Sequence, residues 1–131
     1  MTNSETAQKA FKLFSQGWAT GNFSEYIEML ADEMIFWFPT GVHKGQYTGV
    51  AGKQQMLAKC HDDAKSGDKL TFSDPHYILS DGNSTLFEFQ SSGIANGQSY
   101  DGHNAIAFQV DDGKVIGYRE YFGTCEACVN T

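Results

Sequence analysis

Apolar positions recur at helical spacing in the first half of the chain. A first helix is predicted over residues 4–20, with Ser4 as its N-cap and Gly21 after its end. Its apolar face combines Ala7, Ala10, Phe11, Phe14 and Trp18. A short second helix is predicted after Gly21, and a third over residues 50–65. The third helix is predicted to bury Met56, Leu57, Cys60 and Ala64.

The second half of the chain changes to a period of two, which is typical of strands. A strand over residues 34–38, which Pro39 ends, already separates the second helix from the third. Further strands are predicted over residues 69–79, with a break at 74–75, and over 85–94, 98–110 and 114–122. Asn96-Gly97 is a strong signal for a two-residue hairpin. The four sequential strands are therefore predicted to form a meander.

Helices first and a curling sheet afterwards predict an α+β fold. Three N-terminal helices should pack on a curved, mainly antiparallel sheet, giving a cone-shaped α+β barrel with one internal pocket. The chain has 131 residues and shows no linker, repeat or low-complexity segment. We therefore expect a single domain over residues 1–131.

Strand alternation assigns side chains to the two faces of the sheet. One face is predicted to carry Met34, Phe36, Phe38, Phe87, Phe89, Ser91, Asn104, Ile106, Phe108, Val110, Ile116, Tyr118, Glu120 and Phe122. The helices can cover only one face, so the other keeps Ile35, Trp37, Leu86 and Tyr121 among polar neighbours. Such a mixed surface predicts an isologous homodimer, and the alternative is an unusually apolar free surface.

Composition narrows the classes of partner. Aromatic residues make up 14% of the chain, which favours a lined cavity or a subunit interface. The net charge of −7 argues against a nucleic-acid partner, because phosphate contacts need clustered Lys and Arg. No signal peptide or membrane-spanning stretch is visible, so we expect a cytoplasmic protein without a membrane partner. Cys125 and Cys128 lack the second pair that a zinc site needs, and exposed thiols are expected, with no metal.

Two segments carry a resemblance to a known family. They are Ala31-Asp-Glu-Met-Ile-Phe-Trp-Phe-Pro-Thr-Gly41, between helices, and Asp112-Gly-Lys-Val-Ile-Gly-Tyr-Arg-Glu-Tyr-Phe122, at the end of the meander. Together with the element order they make the chain similar to the SnoaL-like branch of the nuclear-transport-factor-2-like superfamily. This superfamily includes ketosteroid isomerases, polyketide cyclases, scytalone dehydratase and limonene epoxide hydrolase. The resemblance spans nearly the whole chain and implies the cone-shaped fold.

The resemblance also tests two activities residue by residue. In ketosteroid isomerases an Asp immediately before the Pro of the first strand is the base, and Phe38 stands there. Their oxyanion-donating Tyr on the first helix corresponds to Phe14, their supporting Tyr falls near Leu57, and their protonated acid maps near Asn104. Because Phe cannot carry a proton, the resemblance argues against steroid isomerase activity by that route. The polyketide-cyclase pattern Glu-Tyr-Phe-Asp ends here in Gly123, which weakens a cyclase assignment.

Four polar residues are the candidates for chemistry. Glu120 shares its predicted face with Tyr118 and Phe122, across from the helices, where desolvation would raise its pKa. The alternatives are that a bulge or register shift turns Glu120 to solvent, or that a Lys or Arg pairs with it. Asn104 would hold a ligand carbonyl or orient a water, or else bond loop backbone. His43 and His103 are placed at the mouth of the cone as possible bases, although most such histidines are simply exposed.

The remaining candidates would bind a small hydrophobic molecule if the cone is hollow. They are Phe14, Trp18, Phe36, Phe38, Leu57, Phe89, Tyr118 and Phe122, each otherwise a core residue. Three functions stay open on this basis. The first is a lyase, isomerase, cyclase or hydrolase that needs no cofactor and acts on a hydrophobic or aromatic substrate. The second is a non-catalytic ligand-binding protein, and the third is a dimeric interaction module whose cone is filled.

Overall fold

The computed structural model describes residues 1–123, so Cys125 and Cys128 lie outside the described residues. Residues 1–123 form three α-helices: α1 (Asn3–Thr20), α2 (Ser24–Glu28) and α3 (Gly49–Ser66). A short 3₁₀ helix covers Gly41–His43. The strands are β1 (Leu30–Phe38), β2 (Gly45–Tyr47), β3 (Leu70–Phe72), β4 (Tyr77–Asp81), β5 (Ser84–Ala95), β6 (Gln98–Asp111) and β7 (Lys114–Gly123).

The seven strands of the described residues belong to one curved sheet that does not close on itself. Its order is β2-β1-β7-β6-β5-β3, and β4 also pairs with β5. The predicted meander is confirmed, with its first strand divided into β3 and β4, which both pair with β5 before the chain continues through β6 to β7. Strand β1 joins β7 in parallel, whereas the other described pairings are antiparallel. Helix α3 packs on β1, and α1 packs on β3, β5 and β6. The predicted α+β class, with three helices on a mainly antiparallel sheet, is confirmed.

The N-cap of α1 is Thr2, so the prediction of Ser4 is wrong. The Glu5 backbone N–H donates to Thr2 Oγ1 at 3.1 Å, and the Thr2 N–H donates to Glu5 Oε1 at 3.0 Å. This reciprocal pair is a capping box, which satisfies two N–H groups at once. Ser4 already lies inside the helix that this box starts.

A β-bulge between β6 and β7 corrects one predicted face. Gln109 pairs with Gly117 while Val110 pairs with Val115, so Ile116 is an extra residue on β7. Val115 is completely buried, and Ile116 is only half-buried. The prediction that Ile116 points into the core is therefore wrong, because uniform alternation does not anticipate an inserted residue. Tyr118 and Glu120, which follow the bulge, point inward as predicted.

Aromatic side chains form most of the core between the helices and the sheet. Phe14 lies at their centre, completely buried, with ring centroids 5.0 Å from Tyr26 and 5.6 Å from Tyr118. Phe36 stacks on Tyr118 at 5.5 Å, and Phe11 meets Phe89 edge-on at 5.0 Å. Ring pairs at these distances stabilise the core beyond the area that they bury.

Because Gly52 has no side chain, the backbone of α3 packs directly against the backbone of β1. A Cβ at this position would overlap the carbonyl oxygen of Met34, which belongs to β1 and cannot swing away. We expect Gly52→Ala to lower the free energy of unfolding by about 2 kcal/mol despite its better helix propensity, because overpacking outweighs that gain. Urea denaturation measures the change. Gln54→Ala, at an exposed position of the same helix, is the control and should stay near wild type; an equally stable Gly52→Ala protein would contradict the close contact.

Candidate functional site

A cavity of about 510 Å³ lies between the helices and the concave face of the sheet. Its walls include the side chains of Trp18, Phe38, Phe72, Tyr100 and Phe122. Its deep end reaches buried Lys59, Asn104 and Glu120. Exposed Val42, Asn96 and Gln98 form the mouth, so the cavity opens to solvent. An open space of this size argues against a cone filled by its own side chains.

Glu120 is held in this cavity by one donor from its own strand and one from the neighbouring strand β6. The Tyr118 hydroxyl donates to Glu120 Oε1, and Asn104 Nδ2 donates to Glu120 Oε2 at 3.1 Å. The Ser91 hydroxyl in turn donates to Asn104 Oδ1 at 2.7 Å. Glu120 retains only 6% exposure. Both carboxylate oxygens are therefore fixed in direction, and Asn104 is held in the amide orientation that donates to Glu120.

Burial controls the ionisation of Glu120. Burial raises the pKa of this carboxyl, and the Lys59 charge and the hydrogen bonds from Tyr118 and Asn104 lower it only in part, so the pKa stays raised. Burial and the Glu120 charge also raise the pKa of Tyr118 well above its usual range, so its hydroxyl stays protonated and donates. A carboxyl with a raised pKa is a stronger base when ionised.

Lys59 carries a buried positive charge beside the same cavity. Its ammonium pairs with Asp63 Oδ2 at 2.7 Å and lies 4.6 Å from the ring centroid of Phe38 and 5.3 Å from that of Trp18. The side chain is only 4% exposed. Burial would lower the pKa of Lys59, but the charges of Asp63 and Glu120 outweigh it, so the pKa is raised. Lys59 therefore stays protonated, which excludes it as a nucleophilic amine at neutral pH.

Tyr100 brings a further polar group to the cavity. Its hydroxyl is buried and has no hydrogen-bond partner among residues 1–123. The ring meets Phe122 edge-on at 6.4 Å. Burial raises the pKa of Tyr100, so its hydroxyl is a donor at neutral pH. A ligand oxygen could satisfy this group, which is costly to leave unpaired.

His43 lies at the cavity mouth, as predicted, with both ring nitrogens engaged. His43 Nε2 is 2.9 Å from Asp62 Oδ2, and Nδ1 is 2.7 Å from Gln55 Nε2. The Gln55 amide donates to Nδ1, so Nε2 carries the proton that Asp62 accepts. Neither nitrogen is free to take a substrate proton in this arrangement. His43 instead fixes the 3₁₀ helix against α3.

The predicted place of His103 at the cone mouth is wrong. Successive residues of a strand point to opposite faces, and Asn104 points into the cavity, so His103 points away from it. Its Nε2 lies 3.5 Å from Glu88 Oε1 on the outer face of the sheet, and its ring is 5.6 Å from that of His76. His103 therefore cannot act on a molecule in the cavity.

Three of the eight predicted ligand-binding residues line the cavity, namely Trp18, Phe38 and Phe122. The structure places the other five away from its walls: Phe14, Phe36, Leu57, Phe89 and Tyr118. These five pack in or against the core, because helical and strand periodicity marks burial without separating a wall from an interior. Tyr118 still contributes to the site through its bond to Glu120.

Three residues at the cavity are not among those that the sequence pattern predicts, namely Lys59, Asp63 and Tyr100. Lys59 lies three residues after Met56 on the buried face of α3, and Asp63 follows it at i+4. A charged pair placed on an apolar helical stripe was the available signal. For Tyr100 no signal existed, because the strand pattern does not show which hydroxyl lacks a partner.

Other chemistries find little support in the described part of the chain. Between Met1 and Gly123, no three His, Cys, Asp or Glu side chains are grouped to hold a metal ion. Burial raises the pKa of the Cys60 thiol to about 12, so it is unreactive at neutral pH. None of the helices over residues 1–123 is long and apolar enough to cross a membrane.

Known proteins share this architecture. The model of a family described as SnoaL-like domain matches residues 11–118. An NTF2-like protein from Anabaena variabilis is 30% identical, with a TM-score of 0.84, covering 95% of this chain and 96% of that chain. No curated protein sequence matches significantly. This likeness identifies the helices and curved sheet as the cone-shaped α+β fold of NTF2-like proteins.

Two more distant structures share the fold alone. An NTF2-like protein from Burkholderia xenovorans is 18% identical, with a TM-score of 0.66, covering 93% of this chain and 89% of that chain. An epoxide hydrolase from M. tuberculosis, of the LEH-like type, is 20% identical, with a TM-score of 0.63, covering 91% of this chain and 84% of that chain.

Proposed function

The chain belongs to the SnoaL-like domain family, and we propose that it is an enzyme that moves protons on a small, largely apolar molecule, using its own side chains as acid and base. The observation that carries this proposal is Glu120, a buried carboxyl with a raised pKa at the deep end of an open cavity. Structural ion pairs also perturb carboxyl pKa values, but Glu120 faces a space that a substrate can enter.

Glu120 is the only carboxyl that we assign to catalysis. As a carboxylate it takes a proton from the substrate, and as a carboxylic acid it returns the proton to a second atom. Tyr118 and Asn104 direct its two oxygens through their hydrogen bonds. This chemistry serves an isomerase, a lyase, a cyclase or a hydrolase. The distant relative that is an epoxide hydrolase extends the candidates to epoxides.

The walls favour an apolar or aromatic substrate. The volume of about 510 Å³ falls within the roughly 300–1,000 Å³ that small-molecule sites occupy. Trp18, Phe38 and Phe122 offer ring faces and edges to a ligand. Hydrophobic contact with these rings would hold the substrate, and the few polar groups would set its orientation.

A substrate panel in deuterated water tests the proposal. Wild type and Glu120→Gln are incubated with small aromatic ketones, β-hydroxy ketones and epoxides, and NMR follows deuterium incorporation and product formation. We expect wild type to convert at least one compound, and Glu120→Gln to convert it far more slowly. Turnover that Glu120→Gln leaves unchanged would contradict the proposal. Compounds that bind to the cavity without any conversion would favour the ligand-binding alternative.

We also propose that two copies associate through the outer face of the sheet. Trp37 stacks on Tyr121 there, with ring centroids 4.7 Å apart, and Tyr121 is 46% exposed. Ile35 and Leu86 are half-buried residues of the same predicted patch. Exposed aromatic surface of this kind suits a self-complementary interface.

Trp37→Arg is expected to convert the dimer into a monomer, because a charge would be desolvated at the centre of the interface. Sedimentation equilibrium measures the change in mass. Val50→Arg places the same charge on an exposed position of α3, on the helical side, and should leave the mass unchanged. A wild-type protein that sediments as a monomer would refute the association.

A further inference from the structure

The free polar groups in the deep end of the cavity are hydrogen-bond donors. A lysine ammonium has three N–H donors, and Lys59 directs one of them to Asp63, its only hydrogen-bond partner within the described chain. The aromatic rings beside it attract the charge but accept no ordinary hydrogen bond. The buried Tyr100 hydroxyl is a second donor without a partner in residues 1–123. The cavity is therefore suited to a ligand that brings an acceptor oxygen.

The charges in the cavity also restrict what that oxygen can be. Lys59 and Asp63 already neutralise one another, and ionised Glu120 contributes one negative charge. A ligand that arrived with its own negative charge would leave two uncompensated charges in a buried space, which is unfavourable. A neutral ligand avoids this cost. When Glu120 takes a proton from it, the negative charge only moves from the carboxylate to the ligand, beside the same ammonium.

We propose that the substrate is an apolar carbonyl compound with an acidic α-hydrogen, and that Lys59 holds its carbonyl oxygen and stabilises the enolate. This inference rests on the proposed function and assigns its substrate class. Lys59 keeps its own protons and acts by electrostatic stabilisation of the developing oxyanion, an effect that is large in a site shielded from water.

The proton transfer balances without any further reactant. The Glu120 carboxylate takes the α-hydrogen as a proton, and the electron pair of that C–H bond forms a carbon–carbon double bond. The carbonyl π pair moves onto oxygen, where Lys59 faces the new negative charge. Protonated Glu120 then returns the proton to another carbon, which is an isomerisation, or to a departing β-oxygen, which is an elimination.

Umbelliferone, a planar hydroxycoumarin, tests Lys59 without any turnover. Its phenolate mimics an enolate, and its neutral and ionised forms have different absorption spectra. We expect the phenol to ionise in the cavity of Glu120→Gln, which carries no opposing carboxylate charge, with a constant at least about tenfold larger than in water, because a nearby cation favours the ionised form. When Lys59→Met, or Lys59→Met together with Asp63→Asn, is added to Glu120→Gln, the increase should be lost.

Two further comparisons separate this inference from the proposed function. Lys53→Met removes a lysine of the same helix that pairs with Asp32 outside the cavity, and adding it to Glu120→Gln should leave the ionisation constant unchanged. In wild type the increase should be smaller than in Glu120→Gln, because ionised Glu120 opposes a second negative charge. Failure of umbelliferone to bind, or an increase that survives in the folded variant that combines Glu120→Gln, Lys59→Met and Asp63→Asn, would overturn the inference whatever Glu120→Gln does to turnover. A lysine-dependent increase together with unchanged turnover in Glu120→Gln would instead refute only the acid–base role.

Discussion

Glu120→Gln is expected to reduce kcat by between about 100-fold and 10,000-fold, because the amide that replaces the carboxyl neither takes nor returns a proton. The change preserves the size of the side chain and leaves the apolar walls intact, so KM should change little. Steady-state kinetics on any compound that wild type converts measures both constants. Glu88→Gln makes the same substitution on the outer face of the sheet, beside His103, and should keep wild-type kinetics.

The same substitution should change how stability depends on pH. Burial raises the pKa of Glu120 in the folded protein above its value in the unfolded chain. The folded state therefore binds the proton more tightly, and this contribution to stability is complete below the unfolded pKa and is lost as pH rises through the folded pKa. Relative to wild type, Glu120→Gln should gain stability as pH rises through that interval. Urea denaturation at pH 4 and pH 8 tests this, and a constant difference would contradict a raised pKa.

Asp63→Asn is expected to lower the free energy of unfolding by about 3 kcal/mol, because it leaves the Lys59 ammonium buried without its partner. The magnitude lies at the low end for such pairs, since the Asp63 side chain is still 20% exposed. Urea denaturation at pH 7 measures the loss. Asp62→Asn is a matched control one residue away, where a 54% exposed carboxylate faces His43, and its loss should stay below about 1 kcal/mol.

The penalty of Asp63→Asn should shrink in alkaline solution. In wild type the pKa of Lys59 is raised, so its contribution to stability is present below the unfolded pKa and is lost as pH rises through the folded pKa. Without Asp63, burial becomes the dominant influence and lowers that pKa, so the variant gains stability as Lys59 loses its proton. An undiminished gap between the two proteins near pH 10 would show that Lys59 is not the cause.

The inward face of the sheet was predictable because a period of two with one buried face leaves little freedom of register. Asn104 and Glu120 were placed correctly on that basis, and so was the Asn96-Gly97 hairpin, whose two residues both have positive φ. The α+β class followed from the order of helices and strands. These features depend on local patterns that the fold preserves.

The chemical details of the site were less accessible, because they depend on contacts between distant residues. Lysine side chains usually lie at the surface, and Lys59 is buried only because Asp63 and the ring of Phe38 surround its charge. His103 was expected at the mouth, but β6 continues as a regular strand through that residue and directs its side chain to the outer face. The residue pattern of a single helix or strand does not show which distant residues surround it in the fold.

The additional residue at Ile116 determines which side chain the interior receives. Val115 is anchored inward by its pairing with Val110 next to a two-residue turn, and strict alternation from there would point Arg119 inward and Glu120 outward. The bulge absorbs Ile116 without a partner on β6, so the alternation resumes one residue later and Tyr118 and Glu120 point inward. The cavity therefore presents a carboxylate to an entering molecule, and the guanidinium of Arg119 stays on the opposite face of the sheet.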